Sequence, residues 1–253
     1  MWLALRKLLV PCLEQDMLAQ RPAITIALLL ASARAAPGQL PYRATWWDAA
    51  SVSAAAGLAV LPVALALPKG APSCGPCDPA SLPGIDHAAL HTFSSSAGTA
   101  STVLLAAVVG GAGFASLHDL APAQARGNAA VLLNSLAWTE AATGWLKVAV
   151  RRKRPILYTT DAAGAVSDRD NQKSFPSGHA SVAFATATSY LVMARREHLR
   201  HATRNAIVMY AGAAGVAGLR VAAGKHFPTD VAGGALFGSG IGWLIAAIHP
   251  KAQ

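Results

Sequence analysis

The feature that most constrains this chain is a succession of apolar segments of helix length, parted by polar connections. They cover residues 49–67, 99–117, 129–150, 180–194, 205–223 and 231–248. A stretch such as 129–150, about 22 residues, crosses a bilayer core at about 1.5 Å per residue. The pattern predicts an all-α fold, a multi-helix bundle of about six long helices embedded in a membrane. Gly110, Gly111 and Gly113 in one segment, and Gly233, Gly234, Gly238, Gly240 and Gly242 in the last, let helix backbones approach closely in lipid. Segment 129–150 also carries Asn134, Glu140 and Lys147, so one of its faces is expected against protein or a wet site. Glu140 and Lys147 are seven apart and share a helical face. Glu140 reads either as a partner of that site or as the maker of an interhelical hydrogen bond.

Composition supports the membrane reading. The chain is 53% hydrophobic and only 13% charged, with a mean hydropathy of +0.38, more apolar than an ordinary soluble domain. Its net charge is +9. The basic residues stand beside apolar segments and are not interleaved with aromatics, which argues against nucleic acid as a partner. Anionic lipid head groups and phosphorylated substrates fit that distribution.

Three clusters of reactive side chains lie where apolar segments begin or end. Lys147 is followed after six residues by Arg154-Pro155. Residues 173–181 read Lys-Ser-Phe-Pro-Ser-Gly-His-Ala-Ser. Arg220 is followed after five residues by His226, and after three more by Asp230. Pro176 and Ser177 have the chemistry of a helix start, with Ser177 as N-cap. Gly178 admits close approach to the backbone, and the free N–H groups of a helix N-terminus favour an anion. His179 stands at the rim of that anion site, where an imidazole passes protons near neutral pH. Cations, imidazoles, a carboxylate, a serine and a glycine-backed helix start form an inventory for holding a phosphate and displacing its ester oxygen.

Lys147-x6-Arg154-Pro155, Pro176-Ser177-Gly178-His179 and Arg220-x5-His226-x3-Asp230 together resemble the three-part signature of the type 2 phosphatidic acid phosphatase family, shared by bacterial acid phosphatases and vanadium haloperoxidases. The resemblance covers roughly residues 98–248. It implies that family's helical bundle and its chemistry, in which His226 attacks phosphorus to form a phosphohistidine. Asp230 would hydrogen-bond the other ring nitrogen of His226. His179 would protonate the leaving oxygen and then activate water. Lys147, Arg154 and Arg220 would neutralise the non-bridging oxygens, and Ser177 with the Gly178 N–H would complete the cradle. No metal and no cofactor are implied. One departure is visible: the third motif usually opens Ser-Arg, and here Leu219 precedes Arg220.

The activity expected is a phosphoric monoester or anhydride hydrolase acting on a lipid phosphate or pyrophosphate, of the phosphatidic acid, phosphatidylglycerol phosphate or undecaprenyl pyrophosphate class. The alternatives are a secreted acid phosphatase, a vanadate-dependent haloperoxidase and a non-enzymatic lipid-phosphate binding or transport protein, the last suggested only by Leu219.

Residues 1–45 read as an N-terminal segment. Ala33-Arg34-Ala35 after an apolar run is either a signal cleavage site or part of an uncleaved membrane anchor. Residues 46–253 read as one helical domain. Trp46 and Trp47 suit a membrane interface, and Pro62 is expected to kink the helix that follows. Residues 84–96 read as one short helix carrying His87 and His91 on a solvated face. Cys74-Gly-Pro-Cys77 has the spacing of a redox pair but no strand-helix context, leaving a local disulfide or two thiols. Residues 156–175 are long enough for a lid. Arg195, Arg196, Arg200 and Arg204 put their loop on the cytoplasmic side. The signature clusters then face the periplasm or exterior of a bacterial-type inner membrane, with the basic run 151–154 as the exception. Cleavage of the N-terminus would instead make the protein secreted or periplasmic, or reverse its orientation if 49–67 spans.

Overall fold

The computed structural model describes residues 42–251, so the expectations for the first 41 residues, including the cleavage site, lie outside the described part. The described residues are helical, without a strand. The long helices are α1 (Trp46–Ala64), α2 (Ser95–Leu117), α3 (Pro122–Val150), α4 (Gly178–Arg196), α5 (Ala202–Ala222) and α6 (Pro228–Ile248).

Helix α4 is the axis of the bundle. Ala183, Ala187, Tyr190 and Met193 are fully buried along it. Its neighbour α6 approaches on a row of glycines spaced by four. A Cβ on Gly234 would stand 2.7 Å from the Ser177 carbonyl oxygen, and one on Gly238 or Gly242 would strike the carbonyl of Ser181 or Ala185. With nothing but hydrogen at these positions the backbones nearly touch, and the Ser189 hydroxyl donates to the Gly242 carbonyl at 3.3 Å. This contact brings the first turns of α4 and α6 side by side. Helix α1 lies on α3, where Trp138 donates to the Ser51 hydroxyl at 2.9 Å and Trp145 to the Leu58 carbonyl at 3.0 Å. Helix α2 is tied to the end of α5 by the Ser94 N–H, which donates to the Ala222 carbonyl at 3.1 Å.

Helices α1, α2, α5 and α6 are long and apolar enough to cross a membrane. Their outer faces expose Val60, Val63, Val103, Phe114, Ile207, Val208, Leu236 and Trp243, an apolar exterior that suits lipid contact. Helices α3 and α4 fall outside that group. An inner helix shielded by its neighbours need not be apolar, and α4 buries Thr186, Thr188 and Ser189.

Several boundaries differ from the sequence reading. Helix α3 starts at Pro122, because proline at the first helical position needs no N–H partner. It ends at Val150, where the apolar segment ends, because Arg151 adopts a left-handed conformation, φ 52°. Residues 84–96 are not one helix. Gly84–His91 forms 3₁₀ turns, and the Ser94 hydroxyl accepts from the Ala97 N–H at 3.2 Å to begin α2 afresh. Pro62 falls in the last turn of α1, which ends at Ala64. Cys74 and Cys77 form a disulfide. Arg196, part of the basic loop, donates to the Ala246 and Ala247 carbonyls at 2.8 and 3.0 Å, which the end of α6 leaves without helical partners.

Candidate active site

Residues 152–154, the start of α4 and the turn between α5 and α6 meet at one end of the bundle. The Ser177 N–H donates to the Asp230 carbonyl at 3.0 Å, and the Ser174 N–H to the Arg152 carbonyl at 2.9 Å. These backbone bonds hold the ends of three helices together, so side chains far apart in the sequence share one site.

His226 is almost wholly buried. Its Nδ1 lies 2.7 Å from the Ser174 carbonyl oxygen. A carbonyl only accepts, so Nδ1 carries the proton and Nε2 keeps its lone pair. Burial, with Lys147 and Arg154 nearby, lowers the imidazole pKa to about 3, so the ring is neutral at physiological pH. The bond expected between Asp230 and this ring is replaced. Asp230 Oδ2 is 3.7 Å from Nδ1, beyond hydrogen-bond range, because that oxygen accepts from the Ser174 hydroxyl at 2.5 Å and the Phe227 N–H at 2.8 Å.

The other oxygen of Asp230 accepts from Arg152 at 2.6 Å, and Arg152 also donates to Asp86 at 2.6 Å. Asp86 in turn accepts from the Thr229 N–H at 3.0 Å and the Thr229 hydroxyl at 2.7 Å, within the first turn of α6. Both carboxylates are fully buried, and the Arg152 guanidinium lies 4.6 Å above the Phe227 ring. Arg152, Asp86 and Ser174 were not among the sequence-predicted residues. Arg152 stood inside a basic run, and Asp86 lay between turns that carry no motif. The only signal was that a run ending at Arg154-Pro155 contains more cations than a phosphate needs.

The remaining expected residues face the other side of His226. Lys147 Nζ would be 3.7 Å from a Cβ on Gly178, so the ammonium lies against the start of α4. Arg154 and Arg220 are electrostatic neighbours of one another and of Lys147. His179, half-buried, has Arg220 and Lys147 as its charged neighbours and contacts the Thr102 hydroxyl through Nε2 at 3.2 Å. Arg220 donates to the Ser101 hydroxyl at 3.4 Å, so a hydroxyl reaches it from α2, while its chain neighbour is Leu219. Ser177 occupies the N-cap position but makes no cap bond. Its hydroxyl, Arg154 Nε and Arg220 Nε are buried without a hydrogen-bond partner among the described residues. Buried donors of this kind are costly unless something accepts from them, and a tetrahedral oxyanion supplies several acceptors at once.

A cavity of about 290 Å³ opens here. Glu140, Thr143, Lys147, Lys173 and His179 line its polar side, while Ala59, Pro62 and Val63 of α1 form an apolar wall. Glu140 makes no interhelical hydrogen bond among the described residues and has Lys147 as its electrostatic neighbour. The stretch 156–175 is folded into short turns. Gln172 donates to the Gly70 carbonyl at 2.9 Å, and Lys173 pairs with Asp170 at 2.7 Å.

The family profile described as the PAP2 superfamily matches residues 128–253. No curated protein and no solved structure matches the chain. The match takes in all three clusters, while α1 and α2, which supply Ser101, Thr102 and the apolar wall, lie before it. The chain belongs to the PAP2 superfamily.

Proposed function

We propose that this PAP2-superfamily chain is a membrane phosphatase that hydrolyses a lipid phosphate or pyrophosphate through a phosphohistidine, without metal or cofactor. The observation that carries the reading is His226. Its proton is held on Nδ1 by the Ser174 carbonyl, and Lys147 and Arg154 are near enough to act on it. Nε2 attacks phosphorus and the P–O bond to the leaving group breaks, with His179 giving that oxygen a proton that it takes up when the anionic substrate enters beside Arg220 and Lys147. His179 then takes a proton from water, the hydroxide displaces His226, and the P–N bond breaks to release phosphate. Lys147, Arg154, Arg220, the Ser177 hydroxyl and the Gly178 N–H hold the non-bridging oxygens as charge spreads. Asp230 acts through Ser174: it accepts the serine hydroxyl whose backbone carbonyl orients the imidazole.

The apolar wall of Ala59, Pro62 and Val63 favours a substrate with an acyl or isoprenyl tail over a small soluble ester. The test is phosphate release from a panel of lipid phosphates by detergent-purified protein, with EDTA present. Release by the wild type that disappears in His226→Ala supports the reading. Equal release by both, or release from soluble esters alone, overturns it. Vanadate, which mimics the trigonal-bipyramidal transferring phosphoryl group, is expected to inhibit.

A further inference from the structure

The opposite end of the bundle holds a larger opening that the chemistry above does not use. Helices α2 and α5 touch near their middles, where a Cβ on Gly215 would stand 3.0 Å from Leu104 and one on Gly212 2.7 Å from Val108. Beyond that contact lies a cleft of about 950 Å³, within the roughly 300–1,000 Å³ of small-molecule sites. Its inner lining is apolar, with Leu104, Val108 and Met209. Its mouth is polar, with Arg200 and Arg204 beside His118 and Asp119.

Three observations identify the occupant. Both walls belong to helices apolar and long enough to cross a membrane, so the cleft opens toward acyl chains. From Leu104 to Leu117 the groove runs about 20 Å at about 1.5 Å per residue, more than the roughly 15 Å depth of one hydrocarbon leaflet. The charge at the mouth is unbalanced: Asp119 is engaged by His118 at 2.8 Å, while Arg200 and Arg204 pair with no carboxylate among the described residues. Arg204 reaches only the Asn205 side-chain oxygen, at 3.4 Å.

We infer that this cleft binds an anionic phospholipid of the surrounding bilayer, with one acyl chain between α2 and α5 and its head-group phosphate on Arg200 and Arg204. The site is separate from the His226 cluster, which lies at the other end of these helices. The bound lipid would brace the ends of α2 and α5 that line the cleft. At their other ends the same helices present Ser101, Thr102 and Arg220 to the active site.

The test is photo-crosslinking of the full chain in vesicles. The probes are acyl-chain diazirine phosphatidylglycerol and phosphatidylcholine, and the labelled peptides are mapped by mass spectrometry. Two variants probe the cleft. Arg200→Gln with Arg204→Gln removes the head-group contact. Gly111→Leu fills the groove, since a Cβ at Gly111 meets nothing within 4 Å. The phosphatidylglycerol probe is expected to label residues 104–115 and 205–212. Labelling should drop about fivefold for each arginine removed and be lost in Gly111→Leu. His226→Ala should label like the wild type, so the inference stands or falls apart from the phosphatase reading. Equal labelling by phosphatidylcholine overturns it, as does labelling unchanged in both variants. A third contradicting result is a crosslink between the cleft and the chain's own residues 1–41 in place of lipid.

Discussion

The two sides of His226 are built on opposite principles. On the Asp230 side the polar groups have partners: Arg152 bridges two buried carboxylates, and Ser174 links Asp230 to the imidazole through its hydroxyl and its carbonyl. On the side of Lys147, Arg154 and Arg220, buried donors of Arg154, Arg220 and Ser177 have none among the described residues. The satisfied side holds its geometry without a ligand. The unsatisfied side concentrates positive charge that only an anion relieves. On the proposed reading the first set serves stability and the second binding, and mutation separates the two.

The largest effect is expected at the boundary. His226→Ala should reduce phosphate release by at least about 10³-fold, while circular dichroism and the unfolding midpoint show a folded bundle. On the anion side, Arg154→Ala should cost about 10² to 10³ in turnover and weaken vanadate inhibition in parallel, with the unfolding midpoint unchanged or raised because a buried, poorly paired cation is removed. On the satisfied side, Arg152→Ala should behave in the reverse manner. It leaves Asp86 and Asp230 buried without their cation, a loss of about 3 to 5 kcal/mol that denaturant unfolding will read, and Arg152→Lys should recover only part because lysine lacks the fork. A stability loss in Arg154→Ala as large as that in Arg152→Ala would erase the comparison.

Smaller effects sharpen it. Ser177→Ala should lower turnover about tenfold with no loss of stability, since the hydroxyl makes no cap bond. The smallest effect concerns pH. With its pKa lowered to about 3, His226 stays unprotonated through the mildly acid range. Single-turnover phosphoenzyme formation should therefore not lose at pH 5 the roughly 25-fold that an ordinary histidine would lose between pH 7 and pH 5. The same shift makes His226 a source of acid instability. The unfolded chain takes up a proton near pH 6.5 and the folded chain only near pH 3, so this contribution to stability is complete above about pH 6.5 and declines as pH falls toward 3.

Much of this was legible in the sequence because it is encoded locally. The apolar segments announced the helices, and the spacings around Lys147, Ser177 and His226 announced residues that the structure gathers at one end. The glycines at 234, 238 and 242 announced a close helix contact without naming its partner. What stayed hidden depends on distant pairs. Asp86 is 66 residues from Arg152, and nothing in its neighbourhood marks a buried carboxylate. The chain's exit from α3 at Arg151, in a left-handed conformation just ahead of Arg152 and its carboxylate partners, has no glycine or proline beside it to announce it. The Ser174 carbonyl, 2.7 Å from His226 Nδ1 with Asp230 beside it at 3.7 Å, was hidden for a similar reason. Sequence spacing sets Asp230 one turn beyond His226, but a backbone carbonyl leaves no trace in a motif.

The central claim is that His226 Nε2 is the nucleophile, presented by a tautomer that the Ser174 carbonyl holds. The most direct test is to mix the protein with a lipid phosphate, quench within one turnover, digest under alkaline conditions that preserve phosphoramidates, and map the modified peptide by mass spectrometry. A phosphoryl group on His226 that disappears in His226→Ala is the predicted result. Phosphate on another residue, or turnover with no phosphoenzyme in the wild type, would contradict it.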